Sequence, residues 1–362
     1  MRSKIDYRSH LMFLVMFFLP TSVAYSQTAQ DAGKPPDRQI PARRIPVPLT
    51  LSPELQKSIE ASIEPALNFF RSTTPRSKAE WEAARSARAV GALRLIKAIS
   101  ETFQGKIEPG VMAGVKIHMI TPDKIPSENR NRVLIHLHGG GYVFSGGGTG
   151  IAEGILLAGH TKMKVISVDF RLAPEHPFPA ALDDTVTVMK ELMKQYKPAN
   201  IGIGGSSCGG GLSIATALKL KALKLPLPGA IFSGSPWADL TLASDSLRTN
   251  EYIDNALPTP DGFASLAAQV YAGAEDLKNP LVSPVYGDMK GLPPMILISG
   301  TRDIFLSDTV RVHRKLRQAG VEAQLHVFEA MSHSLYVGLY QAPESVEIWQ
   351  EVARFFHQHL GK

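Results

Sequence analysis

Gly205-Ser206-Ser207-Cys208-Gly209 sets a serine between two glycines at the spacing Gly-x-Ser-x-Gly. The residues before it, Asn200 to Ile203, predict a short strand, and Leu212 to Leu223 predicts a helix. A serine held between strand and helix turns sharply, so the positions two residues either side must be small. Its hydroxyl is then left exposed above the sheet, where it can act as a nucleophile. The N-terminus of the following helix brings unpaired N–H groups and partial positive charge toward a reacting carbonyl. Taken alone, the pattern also fits a Gly-rich turn. Two nucleotide-binding alternatives fail. A P-loop requires Lys after the second glycine of G-x-x-x-x-G, and Gly210 stands there; a dinucleotide fingerprint begun at Gly202 requires Gly where Ser207 is found.

A serine hydroxyl needs a base, and the base needs an acid to orient it. His333 lies in Met331-Ser332-His333-Ser334, just after a predicted strand ending at Phe328. Asp303 lies in Gly300-Thr301-Arg302-Asp303, after a predicted strand ending at Ser299. The chain order Ser207, Asp303, His333 is that of an α/β-hydrolase sheet. Asp308 is the rival acid, but it sits one residue into a helix begun by Ser307, where the helix dipole already accounts for it. Upstream, His138-Gly139-Gly140-Gly141 follows a strand ending at Leu137. Glycines there let the main chain approach a substrate closely. The N–H groups of Gly140 and Gly141, with that of Cys208, are the expected donors to the oxyanion of an acyl-transfer transition state. His138 is read as shaping this loop, and His176, between Pro174 and Pro177, as structural. His357 and His359 are two apart on a predicted helix and cannot share a face, so no metal site is expected.

Elements that could position these residues alternate along the chain. Strands are predicted at Val115–Ile120, Arg132–Leu137, Lys164–Asp169, Ala230–Ser233, Met295–Ser299 and Ala323–Phe328. Helices are predicted at Thr149–His160, Ala180–Tyr196, Ser307–Ala319 and Ser345–His359. Such alternation predicts an α/β fold with a mostly parallel sheet covered on both faces. Helical patterning at Pro53–Arg71 and Ser77–Phe103 precedes any predicted strand, and residues 238–280 lack a clear strand; both are expected to form a cap. The expected organisation is a signal peptide over residues 1–26, a lead-in and cap helices over 27–113, and a catalytic domain over 114–362 with a cap insertion at about 238–280.

The composition is compatible with this plan. The chain has 362 residues, 44% of them hydrophobic, enough for a sizeable core. Its net charge of +6 is scattered rather than arranged in a basic stripe with aromatics, so no nucleic-acid partner is expected. Arg2, Lys4 and Arg8 precede the apolar run Leu11–Leu19, and Ala24-Tyr25-Ser26 forms a small-x-small site with cleavage expected before Gln27. The run is too short to span a bilayer, so export without a stable membrane span is expected, to the periplasm or the medium. Cys208 is the single cysteine, which excludes an internal disulfide.

Together, His138-Gly139-Gly140-Gly141, the segment from Asp169 through Arg171-Leu172-Ala173-Pro174-Glu175 to Ala181, the serine elbow and Ser235-Pro236-Trp237-Ala238-Asp239-Leu240 resemble the hormone-sensitive-lipase family of carboxylesterases. The resemblance runs from about residue 114 to the C-terminus. It implies an α/β-hydrolase fold with a helical cap, hydrolysis of short- to medium-chain esters, and no metal or organic cofactor. Carried onto this sequence, it implies a triad of Ser207, Asp303 and His333 and oxyanion donors Gly140, Gly141 and Cys208. Two segments depart from the family pattern. Ser206 and Cys208 flank the nucleophile where Asp and Ala are usual, and Asp303-Ile304-Phe305 replaces Asp-Pro-Leu. The Cys208 side chain is expected to narrow the pocket. Residues Pro41 to Pro48 and Gly300 to Asp303 are more similar to family members that hydrolyse lactones, which makes cyclic esters an alternative substrate. A non-catalytic ligand-binding protein is the alternative of another class. Hormone receptors resembling this family lose the histidine, whereas His333 is present here.

Overall fold

The computed structural model describes residues 40–361; the expected signal peptide and the first part of the lead-in lie outside the described residues. Two compact units divide the chain, Met1–Pro46 and Val47–Lys362. The described part of the first, residues 40–46, contains no helix or strand, and all elements below belong to the second.

Three helices come first. Helix α1, Pro53–Glu60, is capped by Ser52, whose Oγ accepts the Leu55 N–H at 3.3 Å, with Pro53 in the first turn. The single helix expected over Pro53–Arg71 is instead two, with α2 at Glu64–Ser72. Pro65 explains the break: in a continuous helix its ring would meet the carbonyl of Ala61, and it has no N–H to donate. Helix α3, Lys78–Thr102, starts from a reciprocal capping box between Ser77 and Glu80.

Strand β1, Gly105–Met112, was not expected from the sequence. It pairs antiparallel with β2, Val115–Pro122, through a tight turn at Ala113 and Gly114, both with positive φ. The alternation then proceeds through β3, Val133–Leu137, α4, Ala152–Thr161, β4, Lys164–Val168, and α5, Ala180–Leu192. Next come β5, Ile201–Ser206, α6, Cys208–Ala222, and β6, Ala230–Gly234. Residues 238–280 hold two helices, α7, Ser246–Thr249, and α8, Phe263–Ala272. The chain closes with β7, Met295–Gly300, α9, Leu306–Gln318, β8, Ala323–Phe328, α10, Leu335–Gly338, and α11, Pro343–His359.

Among the described residues, eight strands form one sheet in the order β1-β2-β4-β3-β5-β6-β7-β8. The β1–β2 and β2–β4 pairs are antiparallel and the others parallel. Period-two alternation divides the core. Ile231 and Leu297 face α5, α6 and α9, while Phe232, Ile296 and Ile298 face α4 and α11. Each such side chain contributes about 1.5–3 kcal/mol by leaving water. Because β3, β5, β6, β7 and β8 run parallel, the loops after them gather at one edge of the sheet, where open α/β sheets place ligands. No described helix is long and apolar enough to cross a membrane.

Candidate active site

Ser207 occupies the junction of β5 and α6 with φ 61° and ψ −127°, a conformation that costs a non-glycine residue about 1–3 kcal/mol. Main-chain bonds hold it there. Its N–H donates to the Gly234 carbonyl at 2.9 Å, and its own carbonyl accepts the Trp237 and Gly211 N–H groups at 3.0 and 3.1 Å. The flanking glycines are required by space. A Cβ on Gly205 or on Gly209 would collide with the Leu137 carbonyl oxygen at the end of β3. Helix α6 therefore begins at Cys208, four residues earlier than the apolar pattern suggests. Its first turn is Cys208-Gly209-Gly210-Gly211, which hides the helical period from sequence reading. Glycine in a helix costs about 1 kcal/mol relative to alanine, so this turn is positioned by its neighbours rather than by propensity.

The loop after β3 lies directly over this junction. A Cβ on Gly139 would come within 3.3 Å of the Ser207 Cβ, and Gly140 and Gly141 have φ of 111° and 63°. Cys208 fastens the loop. Its thiol donates to the His138 carbonyl at 3.6 Å, and its sulfur accepts the Tyr142 N–H at 3.3 Å. Burial, only partly offset by nearby backbone amides, pushes the thiol up to about 12, so it stays protonated at neutral pH. The expected narrowing of the pocket by this side chain is not found: Cys208 is fully buried and does not line the cavity. His138 stacks on Phe170 with ring centroids 4.0 Å apart, and its Nδ1 lies 2.8 Å from the Gly139 carbonyl oxygen. Burial holds the ring at about 4, hence neutral, and Nδ1–H is the donor.

Asp303 and His333 are brought together. The His333 Nδ1 is 3.1 Å from Asp303 Oδ1, which also accepts the Phe305 N–H at 2.9 Å, while Oδ2 accepts the Ser299 hydroxyl at 2.7 Å. Burial alone would raise the Asp303 pKa, but His333, the Ser299 hydroxyl and the Phe305 amide outweigh it and keep the carboxylate ionised. Burial likewise pulls His333 down, yet the bond to Asp303 and the charges of Asp303 and Asp254 lift it above the usual imidazole value of 6.5. With Nδ1–H committed to Asp303, Nε2 is left as the basic nitrogen. Asp308, the rival acid, accepts the Ala238 and Asp239 N–H groups at 2.9 and 2.8 Å and the Ser244 hydroxyl, with no contact to His333.

Ser207, His333, Gly139, Gly140 and Gly141 line one cavity of about 510 Å³. Its other walls come from Phe70 of α2, from Arg88, Gly91, Ala92 and Leu95 of α3, and from Leu257 and Phe263 of the 238–280 segment. Helix α2 packs on α8, and the Asn255 amide donates to the Ser58 carbonyl at 3.2 Å, so the two segments share one surface.

Sequence reading missed two acids. Asp254 is fully buried; its Oδ2 accepts the His333 N–H at 3.0 Å and the Ile304 N–H at 2.9 Å, so it positions the main chain on both sides of the histidine–aspartate pair. Burial and the nearby Asp303 raise it to about 6. Its Oδ1 also accepts from Ala256 and Leu257, the ordinary pattern of a turn-forming aspartate, so the sequence carries no signal that separates it from any loop Asp. Glu153 of α4 accepts both the N–H and the hydroxyl of Ser206 and lies 3.2 Å from His136 Nε2. The Ser206 hydroxyl is thus held between Glu153 and Tyr336, beside the nucleophile position but engaged elsewhere.

A family model described as alpha/beta hydrolase fold matches residues 134–337. An esterase of Acinetobacter venetianus is 34% identical over 253 residues, covering 69% of this chain and 81% of that one. The crystal structure of an esterase designated E25 superposes with a TM-score of 0.85 at 40% identity, covering 90% of this chain and 99% of that one. A hormone-sensitive lipase from a metagenome library superposes with a TM-score of 0.72 at 29% identity, covering 85% of this chain and 99% of that one.

Proposed function

The chain belongs to the alpha/beta hydrolase fold family as a carboxylic ester hydrolase, and from that premise we propose an exported serine esterase that works through an acyl-enzyme on Ser207. The observation that carries the reading is the shared cavity. Ser207 on its elbow and His333 bonded to buried Asp303 both line it, with the glycine loop beside them.

In this mechanism the Ser207 hydroxyl attacks the ester carbonyl as His333 Nε2 takes its proton. Asp303 holds the imidazole in the tautomer that frees Nε2 and stabilises its charged form. The tetrahedral oxyanion is received by the N–H groups of Gly140, Gly141 and Cys208, each worth roughly 10²–10³ in rate if removed. Protonated His333 gives its proton to the leaving alcohol, then activates water to release the acid. No step calls on a metal or an organic cofactor. A cavity of about 510 Å³ with Phe70, Leu95, Leu257 and Phe263 on its walls suits short- to medium-chain acyl groups. The positive start, apolar run and Ala24-Tyr25-Ser26 site support export, and sequencing the mature N-terminus should find Gln27.

The test is hydrolysis of p-nitrophenyl esters of increasing chain length by the wild-type protein and by Ser207→Ala. Loss of activity on the order of a millionfold is expected, with an optimum among short to medium chains. Activity that survives the substitution contradicts the mechanism. Binding of esters without turnover by the wild type would favour a binding protein, and faster turnover of cyclic than of linear esters would move the substrate to lactones with the same residues.

A further inference from the structure

Helix α3 presents Arg88, Gly91, Ala92 and Leu95 to the cavity, a stripe at helical spacing in which only Arg88 is polar. Its guanidinium lies over two aromatic rings, with Cζ 5.4 Å from the centroid of Phe69 and 5.3 Å from that of Phe144. These contacts fix the direction of the side chain without neutralising it. Among the described residues, no carboxylate and no hydrogen-bond acceptor pairs with Arg88.

Arg85, one turn earlier on the same helix, has the opposite environment. It makes a two-pronged pair with Glu175 at 2.9 and 2.6 Å and also donates to the Val143 and Ala173 carbonyls. One arginine fastens the helix to the body, and the next is left with five unused donors beside the reaction centre. Arg88 is exposed to solvent while lining the cavity, and no countercharge raises its pKa. Its charge is also felt at His333, whose pKa it depresses. Among the described residues the only acid lining the cavity, Glu153, is taken up by Ser206 and His136, and His138 is neutral. A ligand in this cavity therefore meets one uncompensated, oriented cation in an otherwise apolar wall. A guanidinium in such a setting is matched by a carboxylate, which accepts two parallel N–H bonds.

We propose that Arg88 is a specificity-determining residue that selects esters bearing a free carboxylate, monoesters of dicarboxylic acids being the simplest class, by pairing with that carboxylate inside the cavity lined by Ser207. The proposal rests on the ester-hydrolase reading of that cavity.

The experiment compares kcat/KM for the mono-p-nitrophenyl ester of adipic acid with that for p-nitrophenyl hexanoate, in wild type, Arg88→Met and Arg88→Lys. The readout is the ratio of the two esters, so a loss common to both cancels. The anionic-to-neutral ratio should fall about 10–100-fold in Arg88→Met, the scale of a hydrogen bond to a charged group. Arg88→Lys should fall between the two, because it keeps the charge and loses the paired geometry. A ratio that changes less than twofold in Arg88→Met overturns the proposal while leaving the esterase reading intact. Failure of the wild type to hydrolyse either ester removes the esterase reading itself. If Arg88→Met is inactive on both esters, inhibition of the wild-type protein by adipate and by neutral adipamide decides. Inhibition at least tenfold stronger by adipate supports the carboxylate site, and equal or weaker inhibition overturns it.

Discussion

At the floor of the cavity, Ser207 and the glycine loop are fixed by main chain; on the opposite wall, Phe70, Arg88, Leu95, Leu257 and Phe263 are fixed by side-chain packing. The floor leaves no slack. Gly205 and Gly209 both abut the Leu137 carbonyl, and the Ser207 backbone is bonded to Gly234, Trp237 and Gly211. The wall is a set of tilted and stacked rings, with Phe70 and Phe144 lying 5.7 and 4.9 Å from Phe263 between centroids. A substitution on the floor moves backbone, whereas one on the wall changes volume or charge. On the proposed mechanism the floor sets which reaction occurs and the wall which ester is accepted.

The largest expected effect separates two acids at the floor. Asp303→Asn should lower kcat by about 10⁴-fold, because the amide no longer holds His333 in the tautomer that leaves Nε2 basic. Asp308→Asn should leave kcat within a few-fold but lower Tm, since an amide has one oxygen where the carboxyl has two to accept the buried Ala238, Asp239 and Ser244 donors. Steady-state kinetics with a melting curve on each variant makes the comparison, and equal losses of kcat would erase the distinction between the two acids. A smaller effect belongs to the wall. Leu257→Ala should raise kcat/KM for longer acyl chains relative to shorter ones by about tenfold, with kcat on the best ester little changed. A uniform loss across chain lengths would mean that this wall does not contact the acyl group.

The smallest effect is a shift in pH dependence. In the proposed mechanism the base must be neutral, so activity should be lost as pH falls through the His333 pKa, which lies above the ordinary imidazole value. Asp254 is one of the charges that raises it. Asp254→Asn should therefore move the acid limb of the kcat/KM profile to lower pH. An unmoved or upward-shifted limb would show that Asp254 does not act on the histidine electrostatically.

The sequence conveyed the floor better than the wall, for a physical reason. Ser207 and the glycine loop follow short apolar strands, and their spacing is dictated by close backbone approach, which only glycine permits. Asp303 and His333 were legible because each follows a strand whose end falls at the same edge of a parallel sheet. The wall depends on how α2, α3 and the 238–280 segment meet, and nothing local in those residues records it. Arg88 in sequence is one more charged residue on a long helix. Its aim into the cavity follows from Phe69 and Phe144, nineteen and fifty-six positions away. Strand β1 escaped because Gly105, Pro109 and Gly110 interrupt the pattern of an edge strand that has one neighbour and little burial.

The most direct test of the account is to trap the intermediate. Wild-type protein mixed with a p-nitrophenyl ester and quenched in acid within the first turnovers should yield one peptide heavier by the acyl group, with the modification on Ser207. The same quench on Ser207→Ala should yield none. Acylation mapped to Ser206 or to any other residue, or full activity with no acylated peptide, would contradict the assignment of Ser207 as the nucleophile.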